Sequence, residues 1–84
     1  MVSLDVAVFD GANVNFTLVK VPDPVLRDQA MIDGIMAGAV MQFRRPVVLM
    51  GADGRETYGR DELRGFLHYV NTDRLPWARL PFEV

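Results

Sequence analysis

The sequence predicts a single α+β domain over residues 1–84, in the order β-β-α-β-β-α-β, with a mixed sheet and its two helices largely on one face. Three observations lead there. Leu4, Val6 and Val8 alternate with Ser3, Asp5 and Ala7, and Val14, Phe16 and Leu18 alternate with Asn15 and Thr17, the period-two pattern of half-buried strands. From Val25 to Phe43, and again from Leu63 to Val70, apolar residues recur instead at helical spacing. Pro46-Val47-Val48-Leu49-Met50 is an unbroken apolar run, the mark of a strand covered on both faces.

The first two strands form a hairpin around the turn formers Asp10-Gly11-Ala12-Asn13. Pairing Val8 with Val14, Val6 with Phe16 and Leu4 with Leu18 keeps one face apolar, which predicts a loop of three or five residues. Pro22-Asp23-Pro24 then opens a helix, with Asp23 as its cap and Pro24 at the first helical position, where a missing N–H costs nothing. Val25, Ile32, Ile35, Met36, Ala39, Val40 and Phe43 supply the face that covers the sheet.

This helix also carries Ala30, Gly34 and Gly38 at four-residue spacing, flanked by Met31, Ala37 and Met41. Small residues at that spacing let another backbone approach closely, so the second helix or a twin subunit is the expected neighbour. The ordinary alternative is that the glycines weaken the helix and break it near Gly34.

Beyond the apolar run, Asp53-Gly54 turns the chain and Glu56-Thr57-Tyr58 returns it. Asp61 and Glu62 fall in the first turn of a second helix, where the dipole favours acids, and Leu63, Phe66, Leu67 and Val70 form its stripe. Asn71-Thr72-Asp73 stops it. The last strand runs from Trp77 to Val84, and Pro81 assigns it to an edge. The long first helix has the length for a right-handed crossover between parallel strands.

Residues Arg45 to Val70, RPVVLMGADGRETYGRDELRGFLHYV, resemble the closing β-hairpin and helix of thioredoxin-like domains. The likeness lies in a proline before the hairpin, a tight turn, and a glycine ahead of an amphipathic helix. It covers under a third of the chain. That family's catalytic cysteine pair has no counterpart here, so no redox activity carries over.

Composition narrows the function classes. The chain has no cysteine and only one histidine (His68), one lysine (Lys20) and one serine (Ser3), which removes most nucleophile–base pairs and metal sites. No catalytic residue, metal ligand or cofactor is therefore assigned, and a non-enzymatic role is expected. His68 and Asp33 are the remaining candidates for proton transfer, yet neither has a partner residue nearby in sequence; exposure is the simpler reading of His68, and pairing with an arginine or exposure at the border of the stripe that of Asp33. Gly51-Ala52-Asp53-Gly54 leads into a strand with no lysine after it, a hairpin turn and not a phosphate loop.

Charge divides unevenly. Residues 1–43 carry Lys20 and Arg27 against five aspartates, and residues 44–84 carry seven arginines against six acids, which gives −3 and +1 for the stated net of −2. A pI near 5.1 argues against a nucleic-acid partner. The longest apolar stretch is too short to span a bilayer, and Val2-Ser3-Leu4-Asp5 has no basic region ahead of an apolar run, so a soluble, cytoplasmic protein without a signal peptide is expected.

With 50% hydrophobic residues in 84, the chain carries more apolar surface than a small monomer buries easily. The leading expectation is thus a protein-interaction module, a homodimer or a tight complex with a protein partner. Its interface would use Ala30, Met31, Gly34, Gly38, Met41 and Trp77. The alternative is a binder of a small anionic ligand or nucleotide through Arg55, Tyr58, Arg60, Trp77 and Arg79, since arginine beside aromatic rings suits carboxylates, phosphates and stacked bases. Against this second set stands the simpler arrangement in which Arg60 and Arg64 balance Asp61 and Glu62 while Trp77 anchors the edge strand.

Overall fold

The computed structural model describes residues 2–10, 14–52, 54 and 56–82. Its strands are β1 (Val2–Asp10), β2 (Asn15–Val21), β3 (Val47–Gly51), β4 (Thr57–Tyr58) and β5 (Ala78–Phe82), and its helices α1 (Gln29–Phe43) and α2 (Asp61–Leu67). The five strands form one mixed sheet in the order β4-β3-β2-β1-β5. Only β2 and β3 pair in parallel, and α1 is the crossover between them. The fold is α+β, in the element order read from the sequence.

The helices do not share a face. Leu4, Val6, Val19, Val21, Val47 and Leu49 pack with Ile32, Ile35 and Ala39 of α1 in one core. Phe16, Leu18, Val48 and Met50, which alternate with those residues along the same strands, pack with Leu67 of α2 in a second core. The expectation of both helices on one face is therefore corrected. The physical reason is already present in β3: a strand apolar on both sides needs cover on both sides. Here α1 supplies one cover, and α2 supplies the other as the chain returns from edge strand β4 to the opposite edge, β5.

The same requirement sets the hairpin register. Val6 lies opposite Val19 and Phe9 opposite Phe16, not Val6 opposite Phe16, and the last pair is Asp10 with Asn15. Residues 11–14 thus separate the paired strands, an even number where an odd one was expected; the turn at 11–13 itself lies outside the described residues. The expected register assumed one apolar face. β2 has two, Phe16 and Leu18 on one side and Val19 and Val21 on the other, all buried. Aromatic packing favours the observed choice: the Phe9 and Phe16 rings stack at 4.5 Å, and Phe66 meets both edge-on at 5.9 and 6.1 Å.

Helix α1 also starts later than expected. Pro22 leads into one turn of 3-10 helix, Asp23–Arg27, and Asp28 then adopts an extended conformation. The Asp28 carboxylate accepts hydrogen bonds from the backbone N–H groups of Ala30 (3.1 Å) and Met31 (3.3 Å), so it, and not Asp23, caps the long helix. Past Gly34 and Gly38 the helix is continuous to Phe43, where Arg44 ends it in the left-handed conformation (φ 55°) with its N–H donating to the Val40 carbonyl at 2.8 Å. β5 is an edge strand, as Pro81 requires.

Packing carries this fold. The three ion pairs among the described residues, Arg27–Glu56, Arg64–Asp61 and Arg79–Asp5, are all largely exposed, and such pairs contribute under about 1 kcal/mol each. Among the described residues three buried side-chain atoms lack a hydrogen-bond partner, Thr17 Oγ1, Asp23 Oδ1 and Arg45 Nη1, and of these the Thr17 hydroxyl is fully enclosed, in the centre of β2. Thr17→Val keeps the shape and removes the unsatisfied group, so it should raise unfolding stability by about 1 kcal/mol in denaturant titration; a loss of stability would show that the hydroxyl is satisfied.

Candidate functional site

Two surface features stand out, both built on α1. The first is its outward face. Ile32, Ile35 and Ala39 point at the sheet, so the opposite side of the helix holds Ala30, Gly34, Ala37 and Met41. All four are exposed, Met41 at 79%, and Met31 beside them at 45%. A helix of an isolated small domain normally turns its charged residues outward. Here Asp33 is the one charged residue between Gln29 and Phe43, and it lies to the side, accepting a 2.8 Å hydrogen bond from the Gln29 side chain.

The small residues leave a depression of about 310 Å3 lined by Ala30, Met31, Gly34 and Ile35. A Cβ built on Gly34 would meet nothing within 4 Å, so no element among the described residues fills the space. Because α2 lies across the other face of the sheet, it is not the neighbour that the small-residue spacing anticipates. Five of the six expected interface residues (Ala30, Met31, Gly34, Gly38 and Met41) therefore do lie together on α1. Trp77 does not join them. Its half-buried ring belongs to the α2-side core, its Nε1 donates to the Thr72 carbonyl at 2.8 Å, and the Lys20 ammonium sits 4.5 Å above the ring. It anchors the approach to β5.

The second feature is a cleft of about 550 Å3 at the end of the sheet where α1 stops and β3 begins. Arg44 and Arg45 reach it from the link between α1 and β3, while Tyr58, Gly59 and Arg60 reach it from the link between β4 and α2. Met36, Val40 and Val47 give it an apolar wall. Gly59 makes this convergence possible. Its φ of +156° is strained for other residues, and a Cβ there would lie 3.0 Å from Val48 Cγ2 and 3.3 Å from the Val47 carbonyl oxygen. Only glycine lets the chain run this close to β3 and bring Arg60 to the cleft that Arg44 and Arg45 also line.

The expected arginine–aromatic set is divided by the sheet. Tyr58 and Arg60 line the cleft beyond β4, whereas Trp77 and Arg79 lie at the β5 end, the opposite edge. Arg79 pairs across strands with Asp5 at 3.5 Å. Arg55 lies outside the described residues. The set was assembled by residue type, and strand order is what separates it. Arg44 and Arg45 were not anticipated; the signal available was an Arg-Arg pair directly after a nearly uncharged helix, the only adjacent basic pair in the chain.

Asp33 on α1 and His68 at the end of α2 lie on opposite sides of the sheet and cannot act together. Among the described residues no three His, Cys, Asp or Glu side chains gather closely enough to hold a metal ion. The glycine-rich segment is a turn, closed by the Gly54 N–H donating to the Gly51 carbonyl at 2.9 Å; its Asp53 lies outside the described residues.

Compared with family models, curated proteins and solved structures, the chain matches none of them. Among the described residues, fold and surface define a small two-core α+β domain with one apolar helix face that no other element covers and one arginine-lined cleft. Gly59→Ala should cost about 2 kcal/mol or more in unfolding stability, through backbone strain and displacement of Val48; a neutral result would show that the β4–α2 link has room to move away from β3.

Proposed function

We propose that this protein acts by binding and not by catalysis, as a homodimer joined through the outward face of α1. One observation carries the reading: the side of α1 that faces away from the sheet, Ala30, Gly34, Ala37 and Met41, is as uncharged as the side that faces it. A helix whose outward side carries this little charge is stable in water when that side is covered.

The occupant we infer is a second copy. Twofold pairing needs a self-complementary patch, and this face offers both a projection and a recess. With antiparallel helices and a twofold axis near Ala37, Met41 of one copy falls over the Ala30–Gly34 depression of the other. At 1.5 Å rise per residue the four-residue offset is about 6 Å on each side of the axis. Methionine is flexible enough to fill such a recess, and Gly34 and Gly38 allow the backbones to approach.

Association through the sheet edges is less suitable. β4 has only two residues, and β5 carries Pro81, so neither edge offers a long ladder of free groups. No helix among the described residues is long and apolar enough to cross a membrane. The lack of cysteine suits a reducing compartment, and we take the cytoplasm as the location.

Light scattering across a concentration series tests the proposal. The wild type should reach twice its 9.4 kDa monomer mass. Gly34→Leu has open space in the isolated chain, so it should stay folded by circular dichroism yet remain monomeric. A wild type monomeric at every concentration, or a folded Gly34→Leu dimer, would contradict the reading.

A further inference from the structure

Dimerisation through the outward face of α1 does not explain the arginine cleft. Arg44, Arg45 and Arg60 converge on it, and among the described residues no carboxylate lines it. Among the described residues none of the three is in an ion pair, although the chain as a whole has more acids than bases. Arg45 Nη1 is buried with no hydrogen-bond partner. A guanidinium nitrogen in that position has lost water without gaining an acceptor, and it meets a ligand in the cleft only once the side chain turns. The last carbonyls of α1 favour cations nearby, which suits Arg44 and Arg45 but leaves Arg60 and the orphaned nitrogen unexplained.

An anion with several acceptor oxygens would offset the positive charge that three arginines bring to one cleft. Arginine's planar fork matches phosphate and carboxylate oxygens in pairs, and three arginines call for a dianion more than for a monoanion. The rest of the cleft is apolar, with Met36, Val40 and Val47 on one side and Tyr58 beside Arg60 on the other. A volume near 550 Å3 falls within the usual range for small-molecule sites and exceeds what a bare phosphate ion fills.

We propose that the cleft binds a small organic phosphate monoester. Its dianionic group is held by Arg44, Arg45 and Arg60, and its apolar portion lies along Met36, Val40 and Val47. This site is separate from the outward face of α1, so either proposal can fail alone.

Phenyl phosphate is the probe, with inorganic phosphate and benzoate as comparison arms, all at matched ionic strength in calorimetric titration of the full chain. Phenyl phosphate should bind more tightly than either, and Arg45→Ala should weaken it by about tenfold or more. Arg44→Gly guards against misfolding: glycine is at ease in the left-handed conformation that Arg44 adopts, so this variant should keep or gain thermal stability while losing affinity. Inorganic phosphate binding as tightly as phenyl phosphate would overturn the apolar half of the site. Benzoate binding as tightly would overturn the phosphate assignment. No binding by any of the three, or binding that both variants leave unchanged, would overturn the site itself.

Discussion

Two neighbouring strands at the centre of this protein, β2 and β3, have no solvent side. Phe16, Leu18, Val19 and Val21 in one, and Val47, Val48, Leu49 and Met50 in the other, are all buried, and they alternate between two cores. Enclosing a side chain of this kind contributes about 1.5–3 kcal/mol, well above any of the exposed ion pairs. The rest of the architecture answers to that double burial. One helix must cross each face, the chain must travel from one sheet edge to the other to place the second helix, and the hairpin must adopt a register that keeps both faces of β2 apolar. Phe9, Phe16 and Phe66 make the last choice specific, since their rings meet only when Phe9 stands opposite Phe16.

Much of this was legible in the residues. Period-two alternation located β1 and β2, helical spacing located both helices, and Pro81 identified an edge strand. Where the reading failed, a local pattern was taken without the tertiary demand that overrides it. The run Val47–Met50 announced a strand covered on both faces, which excludes two helices on one face, and Val19 and Val21 announced a second apolar side of β2. Asp23 looked like a cap because it precedes Pro24, but Asp28 has the extended backbone from which a carboxylate reaches two amides of the following turn. Candidate sites fared less evenly. Residues close along one helix, such as Ala30, Gly34 and Met41, stay together whatever the fold does. Tyr58, Arg60, Trp77 and Arg79 depend on strand order, which periodicity does not encode, and β4 and β5 turned out to be opposite edges.

A domain of 84 residues with two thin cores has little apolar area to leave uncovered. That makes the outward face of α1 the most consequential surface on the molecule. Its small side chains leave room that no element among the described residues fills, and they would let a second helix backbone come close. At its far end the same helix delivers Arg44 and Arg45 to the cleft, so covering its outward face would also steady that wall of the cleft.

Because the chain has no cysteine, a single introduced one reports on a single place. Oxidative cross-linking of Ala37→Cys, at the position inferred for the twofold axis, compared with Tyr69→Cys, an exposed site (90%) after α2, tests the central claim most directly. The account predicts rapid disulfide-linked dimer for Ala37→Cys and little for Tyr69→Cys. Equal, slow cross-linking at both positions would contradict it.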